Sequence, residues 1–167
     1  NEVTRPLTGD EESKVNVNVT ANQIFFDLGN MRVVSRLLEG QYPDVMRLVP
    51  QNYPTEAVLP RDEFMEALER ATLITKDGAV KISFQPEKVT ITSNTPEVGH
   101  VYEELAVASM TGDPLEIGFN ARYLLDFLKV LEEKQFRFQC SGSRNPARLM
   151  PADSNQFLYV VLPLITL

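Results

Sequence analysis

The sequence predicts an α+β fold in which a unit of strand, helix and further strands occurs twice and is preceded by a partial copy of the same unit. Two observations support this prediction. Residues 56–73 and 114–131 both pass from a strand pattern directly into a helix pattern. The remaining segments alternate apolar and polar residues between turn residues, as half-buried antiparallel strands do. The duplication therefore indicates two helices packed on antiparallel sheets.

The later copy, PLEIGFNARYLLDFLKVL, contains the clearer signals. Leu115 and Ile117 alternate as in a half-buried strand, and Asn120 is a favourable N-cap. Apolar residues then recur at helical spacing, namely Tyr123, Leu124, Phe127, Leu128 and Leu131. The earlier copy places Phe64, Met65, Leu68 and Thr72 in register with Tyr123, Leu124, Phe127 and Leu131, which predicts that the two copies lie 59 residues apart.

The chain begins with a polar segment, residues 1–13, which we interpret as loop. Three short strands are then predicted within residues 14–38, separated by turns at Ala21-Asn22 and Gly29-Asn30. Three short strands without a helix do not bury a core. We therefore interpret residues 1 to about 50 as the final half of a preceding copy of the unit.

Residues 40–56 are predicted to form a stiff, extended connector and a domain boundary. Pro43, Pro50 and Pro54 oppose a long helix or a central strand in this segment. Beyond the first helix, Asp77-Gly78 is typical of a hairpin turn. Further strands are predicted at AVKISF, KVTITSN, 97–107, 135–140, 147–150 and 157–164.

Composition excludes several classes of function. The chain has 167 residues, of which 43% are hydrophobic and 23% charged, as in ordinary globular proteins. It contains no apolar run of bilayer length and no signal-peptide core, so a cytoplasmic location is expected. Its net charge of -7 opposes a surface that is basic overall, although a local basic face is compatible with it.

Catalytic groups are scarce. One cysteine, Cys140, and one histidine, His100, do not form a zinc site or a Cys/His dyad within the chain. Cys140 is predicted to be packed in a strand and His100 to lie at the surface. The chain contains no phosphate-binding loop, nucleophile elbow or metalloprotease motif. We therefore expect a protein that is not an enzyme and has no cofactor or metal.

Three groups of residues have two interpretations each. The carboxylate pairs Glu103-Glu104 and Glu132-Glu133 are interpreted as solvated rather than catalytic. Arg122, Asp126, Lys129 and Glu133 are predicted to share one ion-paired helix face, in preference to a phosphate-binding strip. Core packing and a binding surface both remain open for one apolar set, namely Pro43, Leu48, Tyr123, Leu162, Pro163 and Leu164.

Three separated motifs resemble those of the bacterial DNA polymerase III β sliding clamp family. They are SRLLEGQYPD from Ser35, the segment from Phe119 to Asp126, and YVVLP from Tyr159. The resemblance extends from Val15 to Leu167. It implies that residues 1–50 are the end of a middle clamp domain with its connector, and that residues 51–167 are the C-terminal clamp domain.

The resemblance further implies a DNA-clamp fold in which two full-length chains form a homodimeric ring around duplex DNA, bound without sequence specificity. Such a clamp is a processivity factor that tethers the replicative polymerase. Implied partners are the DNA polymerase III α subunit, the clamp loader, other polymerases, mismatch-repair proteins and ligase; no membrane partner is implied. An alternative is a structural module whose exposed sheet edges serve self-association alone, without a nucleic-acid role.

Site residues follow from the same resemblance. A groove for short partner peptides is implied at Pro43, Arg47, Leu48, Asn120, Tyr123, Val160, Val161, Leu162, Pro163 and Leu164. The contact between chains of the ring is implied at Leu73, Ile74, Glu97, Glu103 and Glu104. Arg122 and Lys129 are the candidates for facing DNA.

Overall fold

The computed structural model describes residues 14–29, 31–42, 44–75, 77–95 and 99–165. The chain divides into two compact units, and the division falls immediately before Asp44, within the predicted connector. The assignment of residues 1–50 and 51–167 to two clamp domains stays a prediction. Neither helix in the described ranges is long and apolar enough to cross a membrane.

The first unit contains a three-stranded antiparallel sheet in the order β1-β2-β3. Its strands are β1 (Asn16–Val19), β2 (Gln23–Asp27) and β3 (Arg32–Arg36). The amide of Thr20 donates to the carbonyl of Gln23 at 2.8 Å, and that of Leu28 to Met31 at 2.9 Å, so both connections are tight. The predicted strand trio is therefore confirmed.

The second unit begins with one short 3-10 helix, Val45–Leu48, which is compatible with the three connector prolines. The elements that follow are β4 (Thr55–Pro60), α1 (Arg61–Thr72), β5 (Ala79–Gln85), β6 (Lys88–Thr95), β7 (Gly99–Ala106), β8 (Ser109–Thr111), β9 (Leu115–Asn120), α2 (Ala121–Val130), β10 (Gln135–Cys140), β11 (Ala147–Pro151) and β12 (Tyr159–Val161).

Two antiparallel sheets and both helices of this unit bury one common core. The five-stranded sheet has the order β12-β11-β10-β4-β8, and the four-stranded sheet the order β7-β6-β5-β9. Six phenylalanines are completely buried: Phe64, Phe84, Phe119, Phe127, Phe136 and Phe138. The predicted α+β class, with two helices on antiparallel sheets, is thus confirmed.

The predicted spacing of 59 residues between the two copies is wrong by one residue. Both β4 and α1 precede β9 and α2 by 60 positions, since the helices begin at Arg61 and Ala121. At this spacing Phe64 corresponds to Leu124 and Leu68 to Leu128, and all four side chains are buried. The register of the two copies is therefore the one in which buried residues of α1 match buried residues of α2. The predicted register had instead matched the buried Phe64 with the exposed Tyr123.

The Asp77-Gly78 pair is not a hairpin turn, contrary to the prediction. These residues connect α1 to β5, and the hairpin between β5 and β6 turns at Pro86-Glu87 instead. Gly78 has a φ of +70°, the left-handed conformation that favours glycine, in the connection that leads into β5.

Two further strands differ in extent from the prediction, and one strand was not predicted. The strand predicted at 157–164 spans only Tyr159–Val161, because Pro163 has no amide hydrogen to continue a ladder. The strand predicted at 97–107 is described from Gly99, and Glu97 lies outside the described residues. β8 was missed because its three residues are too few for an alternating pattern.

Candidate functional site

The C-terminal segment forms the edge of the five-stranded sheet. Among the described residues β12 pairs with β11 alone, and its side chains alternate between the two sheet faces. Val161 is 3% exposed and belongs to the core. Val160 must therefore point to the opposite face, so of the two adjacent valines predicted for the groove only Val160 contributes to the outer surface.

Beyond β12 the chain remains attached to the domain while exposing apolar side chains. The amide of Leu164 donates to the carbonyl of Gly118 at 2.8 Å, an isolated antiparallel bridge to β9. The tail thus joins edges of both sheets. Leu162 is nonetheless 64% exposed, and Leu164 and Ile165 are also exposed. An ordered backbone with exposed aliphatic side chains is a suitable wall for an apolar ligand.

Tyr123 lies in the first turn of α2 and is 54% exposed. Its neighbour across the surface is Tyr159 of β12, whose pKa is raised by burial and, to a lesser extent, by the nearby Asp126 and Tyr123. The rings of Phe127 and Tyr159 are 5.8 Å apart, which packs α2 against β12. Tyr123 is therefore an exposed aromatic side chain on a helix that packs against the edge strand.

Asn120 acts as the N-cap of α2, as predicted. Its Oδ1 accepts a hydrogen bond from the amide of Arg122 at 3.0 Å, and its Nδ2 donates to the carbonyl of Asp77 at 3.2 Å. The amide of Ala121 donates to the carbonyl of Gly78 at 2.7 Å. Both ends of the Asn120 amide group are thus engaged within the chain, so this residue fixes the start of α2 and hence the position of Tyr123.

We expect an Asn120→Ala variant to lose about 1 kcal/mol of unfolding free energy, since a helix cap is removed. Asn120→Asp retains the capping oxygen but loses the amide donated to Asp77, and should fall between the wild type and the alanine variant. Urea unfolding followed by circular dichroism measures both changes. An alanine variant as stable as the wild type would contradict the capping role.

The connector contributes an exposed cation. The side chain of Arg47 is 85% exposed, and its Nε lies 3.0 Å from Oδ2 of Asp44. Val49, at the end of the 3-10 helix, is buried. Pro43 and the side chain of Leu48, both predicted for the groove, lie outside the described residues.

The predicted contact between chains consists of one apolar and one charged part. Leu73, the C-cap of α1, is 82% exposed, while Ile74 is half-buried and its carbonyl accepts from the hydroxyl of Thr95 at 2.9 Å. Glu103 receives two hydrogen bonds from Arg70, at 2.9 and 2.8 Å. Glu104 receives one from Lys88 at 2.8 Å. Both glutamates thus have cationic partners within the chain.

The pair of Arg70 and Glu103 predicts a pH dependence. Hydrogen bonds from Arg70 hold the pKa of Glu103 below its ordinary value of 4.5. A carboxyl pKa that is lower in the folded chain adds stability above about pH 4.5, and this stability is lost as the pH falls through the folded-state pKa. Glu103→Gln should therefore be less stable than the wild type at pH 7.

The stability difference should shrink as the pH falls below about 4.5 and through the lowered folded-state pKa, because the wild-type carboxyl then also becomes neutral. Thermal unfolding of both proteins at several pH values measures it. Glu63→Gln, at an exposed position of α1, is the control for the loss of a carboxylate elsewhere on the same helix. A wild type no more stable than Glu103→Gln at pH 7 would contradict the ion pair.

Arg122 and Lys129 are both exposed on α2, as expected of residues that could face DNA. The predicted ion-paired face is wrong, however, because α2 ends at Val130 and Glu133 lies beyond it. Within the described ranges, Arg122 and Lys129 form no ion pair with Asp126. α2 therefore presents cations that the neighbouring acidic side chain does not neutralise by direct contact.

The two residues examined for catalytic chemistry occupy the predicted places. Cys140 is buried in β10, and burial raises the pKa of its thiol to about 12, so it is a packed and unreactive group. His100 is exposed in β7. The described part of the chain contains no cluster of three His, Cys, Asp or Glu residues suited to a metal ion.

Three further residues, Tyr53, Gln139 and Arg148, form a cluster that was not predicted. The guanidinium of Arg148 lies 4.3 Å from the ring centre of Tyr53, and its Nε donates to Oε1 of Gln139 at 2.6 Å. The sequence feature that could have indicated this cluster is the polar Gln139 between Phe138 and Cys140, which are both buried. By strand alternation alone, however, Gln139 is expected only to face solvent.

The fold and the exposed tail together define a domain of the sliding-clamp class. A solved DNA polymerase sliding clamp from Bacillus subtilis superposes with a TM-score of 0.84 and 35% identity, covering 95% of this chain and 43% of that one. A sliding clamp from Bartonella birtlesii bound to griselimycin has a TM-score of 0.84 and 31% identity, covering 91% of this chain and 41% of that one.

The chain belongs to the DNA polymerase III beta subunit family, whose C-terminal domain matches residues 46–165. A Staphylococcus aureus relative named beta sliding clamp is 33% identical over 163 residues. That alignment covers 96% of this chain and 43% of the relative. The chain thus spans less than half the length of the curated relatives that it matches.

Proposed function

We propose that this chain is the C-terminal part of a non-catalytic DNA sliding clamp that tethers replication and repair proteins through a peptide-binding surface. The observation that carries the proposal is the tail of the second unit. It is fixed at Gly118 and still exposes Leu162 beside the edge strand, in a member of the beta subunit family. Tethering requires a binding surface and no catalytic group.

The proposed ligand is a short peptide with aliphatic and aromatic side chains, of the kind implied for the polymerase, the clamp loader, mismatch-repair proteins and ligase. Tyr123 and Leu162 are large apolar side chains that lose water exposure when such a peptide binds. Arg47 offers a charged donor near the connector. A few apolar anchors with one polar contact are sufficient for a specific peptide site.

In the full-length protein, the proposed ring joins two chains through Leu73, Ile74, Glu103 and Glu104. Because both glutamates already have partners in Arg70 and Lys88, a basic residue on the other chain would share or replace those contacts. For DNA, we propose that Arg122 and Lys129 make weak, exchangeable phosphate contacts. Weak contacts suit a chain of net charge -7 that is to slide along a duplex rather than bind one sequence.

The proposal is tested with a fluorescently labelled peptide of the Gln-Leu-x-Leu-Phe kind, titrated with the chain and followed by anisotropy. The control peptide carries alanine in place of the second leucine and the phenylalanine. We expect saturable binding of the first peptide and at least a tenfold weaker affinity for the second. Equal affinities would indicate non-specific adsorption to the apolar tail and would contradict the peptide-binding proposal.

A further inference from the structure

Four residues form one row across β4, β10, β11 and β12 of the five-stranded sheet. Glu56 of β4 pairs with Gln139 of β10, Gln139 with Arg148 of β11, and Arg148 with Val160 of β12. Directly paired residues project from the same face of a sheet. The neighbouring rows, which contain Phe138 and Cys140, face the core, so this outer row faces away from it.

Polar contacts run along the outer row. Nε2 of Gln139 donates to Oε2 of Glu56, and Nε of Arg148 donates to Oε1 of Gln139 at 2.6 Å. The Gln139 amide therefore links a carboxylate to a guanidinium although the two charges do not touch. Gln139 is only 5% exposed, which shows that this part of the outer face is covered rather than solvated.

The residue that covers Arg148 belongs to the connector. The ring of Tyr53 stacks 4.3 Å from the guanidinium, within the range of a cation–π contact. Burial raises the pKa of Tyr53, and its hydroxyl has no hydrogen-bond partner among the described residues. The contact therefore depends on the aromatic ring and not on the hydroxyl.

A second contact fixes the end of the connector independently. Gly112, with a φ of +86°, approaches Pro54 so closely that an added Cβ would lie 1.6 Å from the Pro54 carbonyl oxygen. The hydroxyl of Thr55 also donates to the carbonyl of Asp113 at 2.9 Å. Pro50 and Pro54 restrict the backbone between these contacts and the 3-10 helix. Because the segment is stiff and its end is fixed, the residues that precede this end are also restricted in position.

We infer that Tyr53 and Arg148 are positioning residues, which dock residues 44–53 on the outer row and so set the peptide affinity of the proposed groove. The inference rests on the proposed function, because Arg47 lies on the docked segment and Val160 ends the row. Neither Tyr53 nor Arg148 needs to touch the peptide. Their effect comes from keeping the connector side of the groove in one place.

The test compares Tyr53→Ala, Arg148→Met and the double variant in the anisotropy titration. Each single variant is expected to weaken peptide binding about tenfold, and the double variant no more than a single one, because both remove the same contact. Tyr53→Phe keeps the ring and should bind within twofold of the wild type. Arg70→Met removes a different partly exposed arginine with hydrogen bonds of its own and should also bind within twofold.

Hydrogen exchange gives a second readout. The amide of Val49 donates to the carbonyl of Met46 at 3.3 Å, and its exchange should be faster in Tyr53→Ala and Arg148→Met but unchanged in Arg70→Met. Urea unfolding confirms that each variant is folded at the titration temperature. If the Tyr53→Ala and Arg148→Met variants are folded and bind the peptide like the wild type, this inference is overturned and the proposed function is unaffected. A wild-type chain that does not discriminate between the two peptides would instead overturn the proposed function.

Discussion

Replacing Tyr123 by alanine is expected to weaken binding of the Gln-Leu-x-Leu-Phe peptide by about 30-fold, the change typical of an aromatic residue at the centre of an interface. Its ring is 54% exposed in the free chain, so it can be buried by a ligand. The helix that carries Tyr123 packs against β12 through Phe127 and Tyr159, so its backbone loses little freedom when the peptide binds. Fluorescence anisotropy measures the change.

The same substitution should hardly affect folding. Tyr123 contributes little buried surface, and the N-cap of α2 is provided by Asn120. The unfolding free energy of Tyr123→Ala should therefore lie within about 1 kcal/mol of the wild type. A large loss of stability would show that Tyr123 is part of the core and would remove the main aromatic anchor of the proposed groove.

Val130 provides a matched control on the same helix. It is also an exposed apolar residue of α2, but it lies two turns further along, about 10 Å from Tyr123 along the helix axis. Val130→Ala should leave the peptide affinity within twofold. If both variants lost affinity equally, the peptide would be binding to the apolar face of α2 as a whole and not at its first turn.

The comparison of the two helices explains why Tyr123 was difficult to interpret from sequence. At the spacing of 60 residues its counterpart in α1 is Glu63, an exposed residue. An aromatic residue thus occupies a solvent position of the repeated unit. An alignment based on hydrophobic periodicity counts tyrosine as a core residue. It therefore matched Tyr123 with the buried Phe64, one position away from the register of the structure.

Local features were predictable because they depend on neighbouring residues. The strand alternation around Ile82 and Ile91 and the Asn120 cap follow from periods of two and from capping chemistry. The turn at Pro86-Glu87 was not predictable in the same way, since it lacks the Asn-Gly or Asp-Gly signature.

Features that depend on the pairing of distant segments were not predictable. Arg70 and Glu103 are 33 residues apart, and Glu56 and Gln139 are 83 apart. The outer row exists only because β4 and β10 are neighbours in one sheet, although β5 to β9 lie between them in the chain. Single-sequence patterns contain no information on such pairing, so Arg148 and Tyr53 could not be recognised as partners.

A Phe138→Ala variant should show the largest loss of stability, about 3–5 kcal/mol. Phe138 is completely buried in β10 of the five-stranded sheet. Its ring lies 5.0 Å from that of Phe84 and 5.5 Å from that of Phe119, both in the four-stranded sheet, and 6.3 Å from Phe64 in α1. Truncation leaves a cavity where both sheets and a helix meet.

Urea unfolding measures this loss, and Phe157→Ala is the matched control. Phe157 also packs on an aromatic neighbour, with its ring 5.8 Å from that of Phe127, but it is 38% exposed. Its truncation should cost no more than about 1 kcal/mol. Similar losses for both variants would show that the two sheets do not share the core around Phe138.

The stability of this core bears directly on the proposed function. The tail is joined to β9 through Gly118 and to β11 through β12, so the proposed groove keeps its shape only while both sheets hold their relative position. Phe138→Leu, which fills most of the space, should remain folded with a smaller loss, about 1 kcal/mol. It should also bind the peptide nearly as well as the wild type. Weak binding by folded Phe138→Leu would mean that the groove responds to small shifts between the sheets.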